Sequence, residues 1–459
     1  MQITKPFQNM RRINLFGKDG RLDAIAAAIR QSLRPVELSV LSEMNNPGLF
    51  EKSEGRLSIG NTDNLSTIEE FALRTNPDWA IIGPEEPLRA GVVDKLMELE
   101  ISCIGPTRSL ARLETSKSFT RELLEEYNIP GNPDYRIFKS LDGMESYLRR
   151  KGEFVVKPDG LTGGKGVQVF GEHIHSVEDA LLYCKKLFEE NPNRPVVIEE
   201  KLDGEEFTLQ SFCDGRHVVD TIVVQDHKRA YDGDTGPNTG GMGSYSCEDH
   251  RLPFLSDDVI KEASKITSAV ASALLDKCQQ EYKGILYGGF MMTQGGLKLI
   301  EFNARFGDPE VMNVLPLLKT DFVDVCEAII NGTLDKISVE FEKKATVCKY
   351  VVPRGYPTQP EKEMRIDISD LPAPSDKLKI FYASVNKKPD GLYLTGSRAI
   401  ALVGIGANLA EAEQIAEDAA NRIKGPVRHR MDIGTQELIQ KRINHMNHVF
   451  GKKHKLAVG

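Results

Sequence analysis

Apolar and polar positions divide the chain into regions of different rhythm. Over its first quarter, short apolar runs alternate with amphipathic stretches: "RINLFG", "RLDAIAAAIRQSL", "VELSVLS", "DWAIIGPEEPL", "AGVVDKLMELEIS" and "CIGPT". Strand, helix, strand at this pace predicts βαβ units on a parallel sheet, an α/β domain over about 1–115. Two loops, "GKDGR" (Gly17 to Arg21) and "GPEEP" (Gly83 to Pro87), follow strands of that sheet, where open α/β sheets hold ligands. From "TSKSFTRELLEEYNIP" onward the pattern changes to short β-rich runs such as "EFVVKPD", "GVQVF", "PVVIEEKL" and "EEFTLQSFCDGRHVVDTIVVQDH". Helical "SVEDALLYCKKLFEE" and "SDDVIKEASKITSAVASALLDKCQQEY" alternate with them, which predicts a mixed α+β domain over about 116–335. A small β-rich domain with one helix, "NLAEAEQIAEDAANRI", is expected at about 340–434, and a charged extension at 435–459.

Composition narrows the class without naming a function. A chain of 459 residues has room for about three domains at ~150 residues each. No apolar run approaches the ~20 residues of a membrane span, and "MQITKPFQNMRR" lacks the apolar core of a secretion signal, so a cytoplasmic protein is expected. The seven cysteines show no C-x-x-C spacing, which argues against a zinc site or a disulfide framework and for free thiols. A net charge of -8 disfavours nucleic acid as a partner. The basic tail "KRINHMNHVFGKKHK" reads as a solvated helix or a subunit contact, with a polyanion site as the alternative.

Four stretches carry chemistry. "FVVKPDGLTGGKGVQVF" joins two strand-like runs by a loop holding Gly160, Gly163, Gly164 and Gly166 with Lys157 and Lys165. Glycines let backbone N–H groups approach a phosphate chain and lysines add charge, whereas a plain hairpin turn needs neither. It is not a Walker loop, because Gly166 stands where Ser or Thr would hold magnesium. "VVIEEKLDGEE" turns polar at its end, where Glu199, Glu200, Glu205 and Glu206 either bond an exocyclic amine and ribose hydroxyls or form a solvated turn. In "QDHKRAYDGDTGPNTGGMGSY", Asn238, Thr239, Gly240, Gly241 and Gly243 offer close backbone approach to a small polar ligand, a linker being the alternative. In "LIEFNARFGDPE", period two puts Glu301, Asn303 and Arg305 on one face. Magnesium takes few, hard oxygen ligands from protein beside phosphate oxygens, and Arg holds a transferring phosphoryl, so the row reads as a metal-phosphate clamp. A surface ion pair between Glu301 and Arg305 is the plain alternative.

In this order the stretches resemble the ATP-grasp superfamily and, within it, the phosphoribosylamine-glycine ligases. "KPDGLTGGKGV", "VIEEKLDGEE", "QDHKRAYDGDTGPNTGGMGSYS" and "IEFNARFGDPE" carry the resemblance, with "GPEEPLRAGVVD", "GPT" and "LETSKSFTRELL" upstream, over about residues 13–434. It implies an α/β and α+β multidomain fold: the parallel-sheet domain, an ATP-grasp domain with a mobile lid over about 138–205, and the small β-rich domain. It also implies ATP-dependent ligation of glycine to 5-phosphoribosylamine through glycyl phosphate in purine biosynthesis. Other ATP-grasp ligases or bicarbonate-using carboxylases, and a non-catalytic nucleotide-binding paralogue, are the alternatives. The cofactors implied are ATP with magnesium or manganese. The partners are the two small substrates, with neither nucleic acid nor membrane, in a monomer or weak homodimer.

By the same likeness Arg305 and Lys165 are catalytic. Lys117, Lys157, Gly163, Gly164, Lys165, Glu199, Glu200, Leu202 and Glu206 bind the nucleotide, and Glu301 and Asn303 the metal. Gly20, Arg21, Glu85, Asp226, Lys228, Asp234, Asn238, Thr239, Gly240, Gly241, Arg305, Gly307 and Asp308 contact substrate. Two departures stand out. The family's first loop reads Gly-x-Gly-Gly-Arg-Glu-His-Ala where this chain has "GKDGRLDA", so Leu22 and Asp23 are expected to reshape the amine site. Residues after Ile433 run past the family's usual end.

Overall fold

The computed structural model describes residues 10–163 and 166–451. Its first unit is a five-stranded parallel sheet in the order Leu57–Ile59, Val36–Ser42, Arg11–Phe16, Trp79–Ile82, Ser102–Ile104. Apolar runs such as Leu15, Phe16, Ile81 and Ile82 are buried, as the crossover helices on a parallel sheet require. The chain turns in opposite directions on either side of Arg11–Phe16, so the loops after Phe16 and Ile82 open side by side at a topological switch point.

A second sheet, antiparallel, runs Tyr135–Phe138, Val196–Glu200, Phe154–Pro158, Gln168–Val169. With the helices Met144–Lys151 and Val177–Glu190 it closes a core of its own, built from Phe138, Met144, Leu148, Phe154, Cys184 and Ile198. Most of the remaining strands form one long antiparallel sheet: Gly296–Asn303, Lys283–Thr293, Gly204–Asp214, Val218–Asp226, Gly243–Ser246, Ala345–Pro353, Ile400–Gly406, Leu378–Tyr382. Strands of the β-rich C-terminal region therefore continue the mid-chain sheet. The helix Asp257–Cys278 packs across its first four strands and Leu409–Ala420 across Ala345–Pro353 and Ile400–Gly406.

One irregularity bears on the site. A bulge opposite Gly289 and Phe290 inserts Ile300 into the strand Gly296–Asn303 and shifts its phase. Leu297, Leu299 and Phe302 are all buried as a result, although strict alternation would put Phe302 opposite the other two. The seven cysteines are free thiols, six of them buried, and no helix among the described residues is long and apolar enough to cross a membrane.

Candidate active site

Three groups of side chains converge where the small four-stranded sheet, the long sheet and the N-terminal loops meet. The first surrounds Lys117 and Lys157. Ser116 caps the helix Lys117–Glu126 by accepting from Phe119 N, and Ser116 in turn donates to Asp159 Oδ2 at 3.0 Å. Asp159 thereby pins the loop after Pro158 to the helix, and Lys117 Nζ donates to Gly160 O at 2.8 Å. Burial pushes Lys117 below the ordinary lysine range; Glu301 opposes this and Lys157 adds to it. Lys157 pairs with Glu199 at 2.7 Å, and Arg121 grips the same carboxylate through Nε at 2.8 Å and Nη2 at 3.0 Å. Arg121 also donates to the carbonyls of Leu299 and Ile300, which ties the strand Val196–Glu200 to the metal-candidate strand.

The second group is a ring of acids about one cation. Lys228 pairs with Glu206 at 2.8 Å, and its neighbours Asp226 and Glu301 raise its pKa well above the usual value although burial opposes them. Burial, with Glu310, Glu206 and Glu301 nearby, raises Asp226 to about 7 against the pull of Lys228. Glu310 accepts from Tyr287 at 2.6 Å, while Gly307 N donates to Gln210 at 2.7 Å. No described side chain donates a hydrogen bond to the Glu301 carboxylate or to the buried Asn303 amide oxygen. Two hard oxygen donors without a hydrogen-bond donor among the described side chains, with Glu301 beside Lys117, Lys157 and Lys228, fit a divalent cation that shares phosphate oxygens.

The third group lines the N-terminal loops. Arg305 lies just past the strand end. It pairs with Glu85 at 3.1 Å and Glu114 at 2.8 Å, so the alternative ion pair with Glu301 does not form. Burial would raise both acids. In Glu85, Arg305 and Arg21 win and the carboxyl falls to about 2, whereas Glu114, deeper and repelled by Glu85, sits at about 7. Arg21 donates to Gly83 O at 2.9 Å and pairs with Asp19 at 3.1 Å, leaving its buried Nε without a described partner. Asp308 accepts from Tyr350 at 2.7 Å and pairs with Arg398 at 3.0 Å. Arg398, which the sequence reading missed, also donates to Gly240 O at 2.7 Å and Asp308 O at 2.8 Å. A Cβ on Gly20 would meet Tyr350 Oη at 2.4 Å and Met312 Cε at 2.5 Å, and one on Gly241, at φ +109°, would meet Pro309 Cδ at 2.5 Å. Only glycine lets the loops approach this closely.

The other expected residues have these partners. Glu199 is buried and pairs with Arg121 and Lys157, and its backbone is paired on both sides. The Glu200 carboxylate accepts from Asp134 N at 2.9 Å and faces Lys298 at 3.4 Å. Asp234 is held by Arg430, Lys441 and Arg442. Asp23 is fully buried; it pairs with Lys52 at 2.7 Å and accepts from Tyr382 N at 2.8 Å, while Leu22 packs against Gly17 and Gly83. Asp23 thus docks the first helix on the C-terminal strand Leu378–Tyr382. Thr239 is buried and accepts from Gly241 N at 3.0 Å, whereas Asn238 pairs with Arg229 in a short hairpin. Leu202 follows the strand Val196–Glu200 and Gly163 lies in the glycine loop at φ +55°. Gly164 and Lys165 lie outside the described residues.

Three family models match in succession: the N domain of phosphoribosylglycinamide synthetase over residues 11–114, its ATP-grasp (A) domain over 115–311, and its C domain over 346–436. The chain belongs to the phosphoribosylglycinamide synthetase family. A phosphoribosylamine-glycine ligase of Methanocaldococcus jannaschii is 49% identical over 442 residues, 95% of this chain and 99% of that one. The crystal structure of the phosphoribosylamine-glycine ligase from Thermotoga maritima superimposes with a TM-score of 0.77 at 28% identity, covering 92% of this chain and 99% of that chain. A biotin carboxylase domain of 2-oxoglutarate carboxylase from Hydrogenobacter thermophilus gives 0.73 at 14% identity over 96% of this chain and 98% of that one, a likeness of fold alone. Within the synthetase family, the ATP-grasp domain implies use of ATP.

Proposed function

We propose that this chain ligates glycine to 5-phosphoribosylamine at the cost of one ATP, giving glycinamide ribonucleotide, ADP and phosphate. The observation that supports it best is the juxtaposition at the end of the strand Gly296–Asn303. Glu301 and Asn303, without a hydrogen-bond donor among the described side chains, share one strand face, Glu301 lies beside the Lys117, Lys157 and Lys228 cations, and Arg305 stands two residues on, facing the N-terminal loops. Magnesium, or manganese, held there by Glu301 and Asn303 supplies charge neutralisation for transfer of the γ-phosphoryl to the glycine carboxylate. Lys117 and Lys157 hold phosphate oxygens of the nucleotide, and Glu206 its ribose. The peptide groups at Leu202 serve its base, which leaves Glu199 and Glu200 as supports. Arg305 orients the acyl phosphate, and the Arg21, Glu85 and Asp308 loops present the amine that displaces phosphate. Gly20, Thr239, Gly240, Gly241 and Gly307 let those backbones close around it.

An acyl phosphate hydrolyses readily, so exclusion of water is part of the chemistry. The small sheet with its separate core is suited to move as a body over the nucleotide, from about residue 138 to 205. Hydrogen exchange should report this: MgATP is expected to add protection to peptides covering 154–163 and 166–170. Unchanged exchange there with bound nucleotide would leave no lid.

The activity itself is tested by mixing the protein with MgATP, glycine, ribose 5-phosphate and ammonia, which together form phosphoribosylamine. ADP release should require glycine. Equal release without it, or release that follows bicarbonate instead, would overturn the ligase reading.

A further inference from the structure

The matched C-domain model ends at residue 436, where the helix Gln436–Val449 begins. Thr435 caps it, and Leu438, Ile443 and Met446 are buried against the rest of the chain, so its apolar face is part of the fold. Its polar face carries Lys441, Arg442 and His445 to one place. His445 Nδ1 lies 2.7 Å from Glu205 Oε1, and Nε2 lies 3.2 Å from Asp203 Oδ1. The ring therefore spans the turn between the lid strand, which ends at Glu200, and the long strand Gly204–Asp214. Arg442 reaches Glu205 Oε2 at 3.4 Å and Asp234 Oδ2 at 2.7 Å. Lys441 adds Gly233 O at 2.9 Å. Asp234 sits, with φ at +61°, in the turn between Arg229–Tyr231 and Thr235–Asn238, the hairpin that leads from Lys228 to Thr239.

Adjacent residues of a strand face opposite ways, and here that alternation links the helix to the site. Glu205 points to Arg442 and His445, while Glu206 meets Lys228 in the ring of acids. Gln225 couples the two: its amide donates to Glu205 Oε2 at 3.3 Å and to Glu206 O at 3.0 Å. We infer that the C-terminal helix is a positioning strap for the nucleotide site: Arg442 and His445 hold Glu205 and Asp234, and so fix where Glu206 and Lys228 stand. Neither residue touches the reactants. The inference rests on the reading that Glu206 faces the nucleotide, and the test separates the two.

In the full chain, Arg442→Ala and His445→Ala should each raise the KM for ATP about tenfold, the usual reach of one lost contact in a coupled charge network, with kcat and the KM for glycine held within about twofold. Arg442→Lys should recover part of the loss. Glu206→Gln serves as the marker for the site and should also raise the KM for ATP. Combined with Arg442→Ala, it should add less than the two separate effects, because both act on one group. If Glu206→Gln moves the KM for ATP and Arg442→Ala does not, the strap falls while the nucleotide reading stands. If Glu206→Gln leaves it unmoved, that reading falls and takes the strap with it. A uniform loss in kcat and in every KM on Arg442→Ala, unrelieved by lysine, would mean that the helix only supports folding.

Discussion

Replacing Glu301 by Gln is expected to reduce turnover at saturating glycine and MgATP about a hundredfold or more, the effect of removing a contact worth ~3 kcal/mol where charge builds on a transferring phosphoryl group. The change keeps the shape and the register opposite Gly289 and takes away one negative charge. Its effect on the nucleotide-free protein follows from the surroundings. Burial alone would push the Glu301 carboxyl up, but Lys228, Lys157, Lys117 and Arg305 outweigh it and hold the carboxyl below its ordinary range. An acid lowered in the fold contributes stability that is present above its unfolded pKa and is lost as pH falls through the folded value, so the contribution is intact at neutral pH. The ionised side chain is therefore an asset to the cationic site, and Glu301→Gln should lower the melting temperature without ligand slightly, by no more than about 3 °C. The added stabilisation by MgATP should shrink at the same time. Turnover within about threefold of the parent at saturating magnesium would remove Glu301 from the metal site.

What was readable in the sequence is what local periodicity encodes. Apolar runs at strand spacing around "RLDAIAAAIRQSL" led to parallel strands flanking the helix Gly20–Arg30, and the helices Val177–Glu190 and Asp257–Cys278 stand where their apolar spacing put them. Glycine and acid clusters at strand ends marked the loops that converge. Two kinds of information were not readable. The bulge at Ile300 is invisible to a period-two count, because one inserted residue shifts every side chain beyond it to the other face. Ion pairs between distant positions leave no trace in any local window. Arg121 reads as an ordinary polar residue of "FTRELLEE", yet it is buried against Glu199, 78 positions away. Asp23 reads as part of a substrate loop because its neighbours in sequence are loop residues, whereas its partners are Lys52 and the backbone of Tyr382. A charged residue within an otherwise apolar helix face was the available signal for Asp23, since such a group enters a core only with a partner.

The buried Glu199, held by Arg121 and Lys157, carries a large expected stability effect. Glu199→Ala should destabilise the protein by about 3–5 kcal/mol in denaturant unfolding, because it leaves the Arg121 guanidinium and the Lys157 ammonium in a dry site without their counter-charge. Removing one partner is the damaging change; the intact pair need not be strongly stabilising relative to apolar residues of the same size. Burial pushes the Glu199 carboxyl up, but Arg121 and Lys157 overcome it and hold the carboxyl at about 2 against an ordinary 4.5. A displacement of that size corresponds to about 3 kcal/mol, present above the unfolded value and lost as pH falls through the folded one. The gap in unfolding free energy between parent and variant should thus be full between about pH 6 and 8 and narrow from about pH 4.5 down to 2. Function should suffer as well, since Arg121 joins Glu199 on the lid strand to the carbonyls of Leu299 and Ile300 beside Glu301. With that joint open, Lys157 loses the partner that aims it, and the KM for ATP should rise even where the variant remains folded. A gap below about 1 kcal/mol at neutral pH, constant down to pH 3, would mean that the two cations find water or other acids at no cost, and Glu199 would revert to a free carboxylate able to meet the nucleotide.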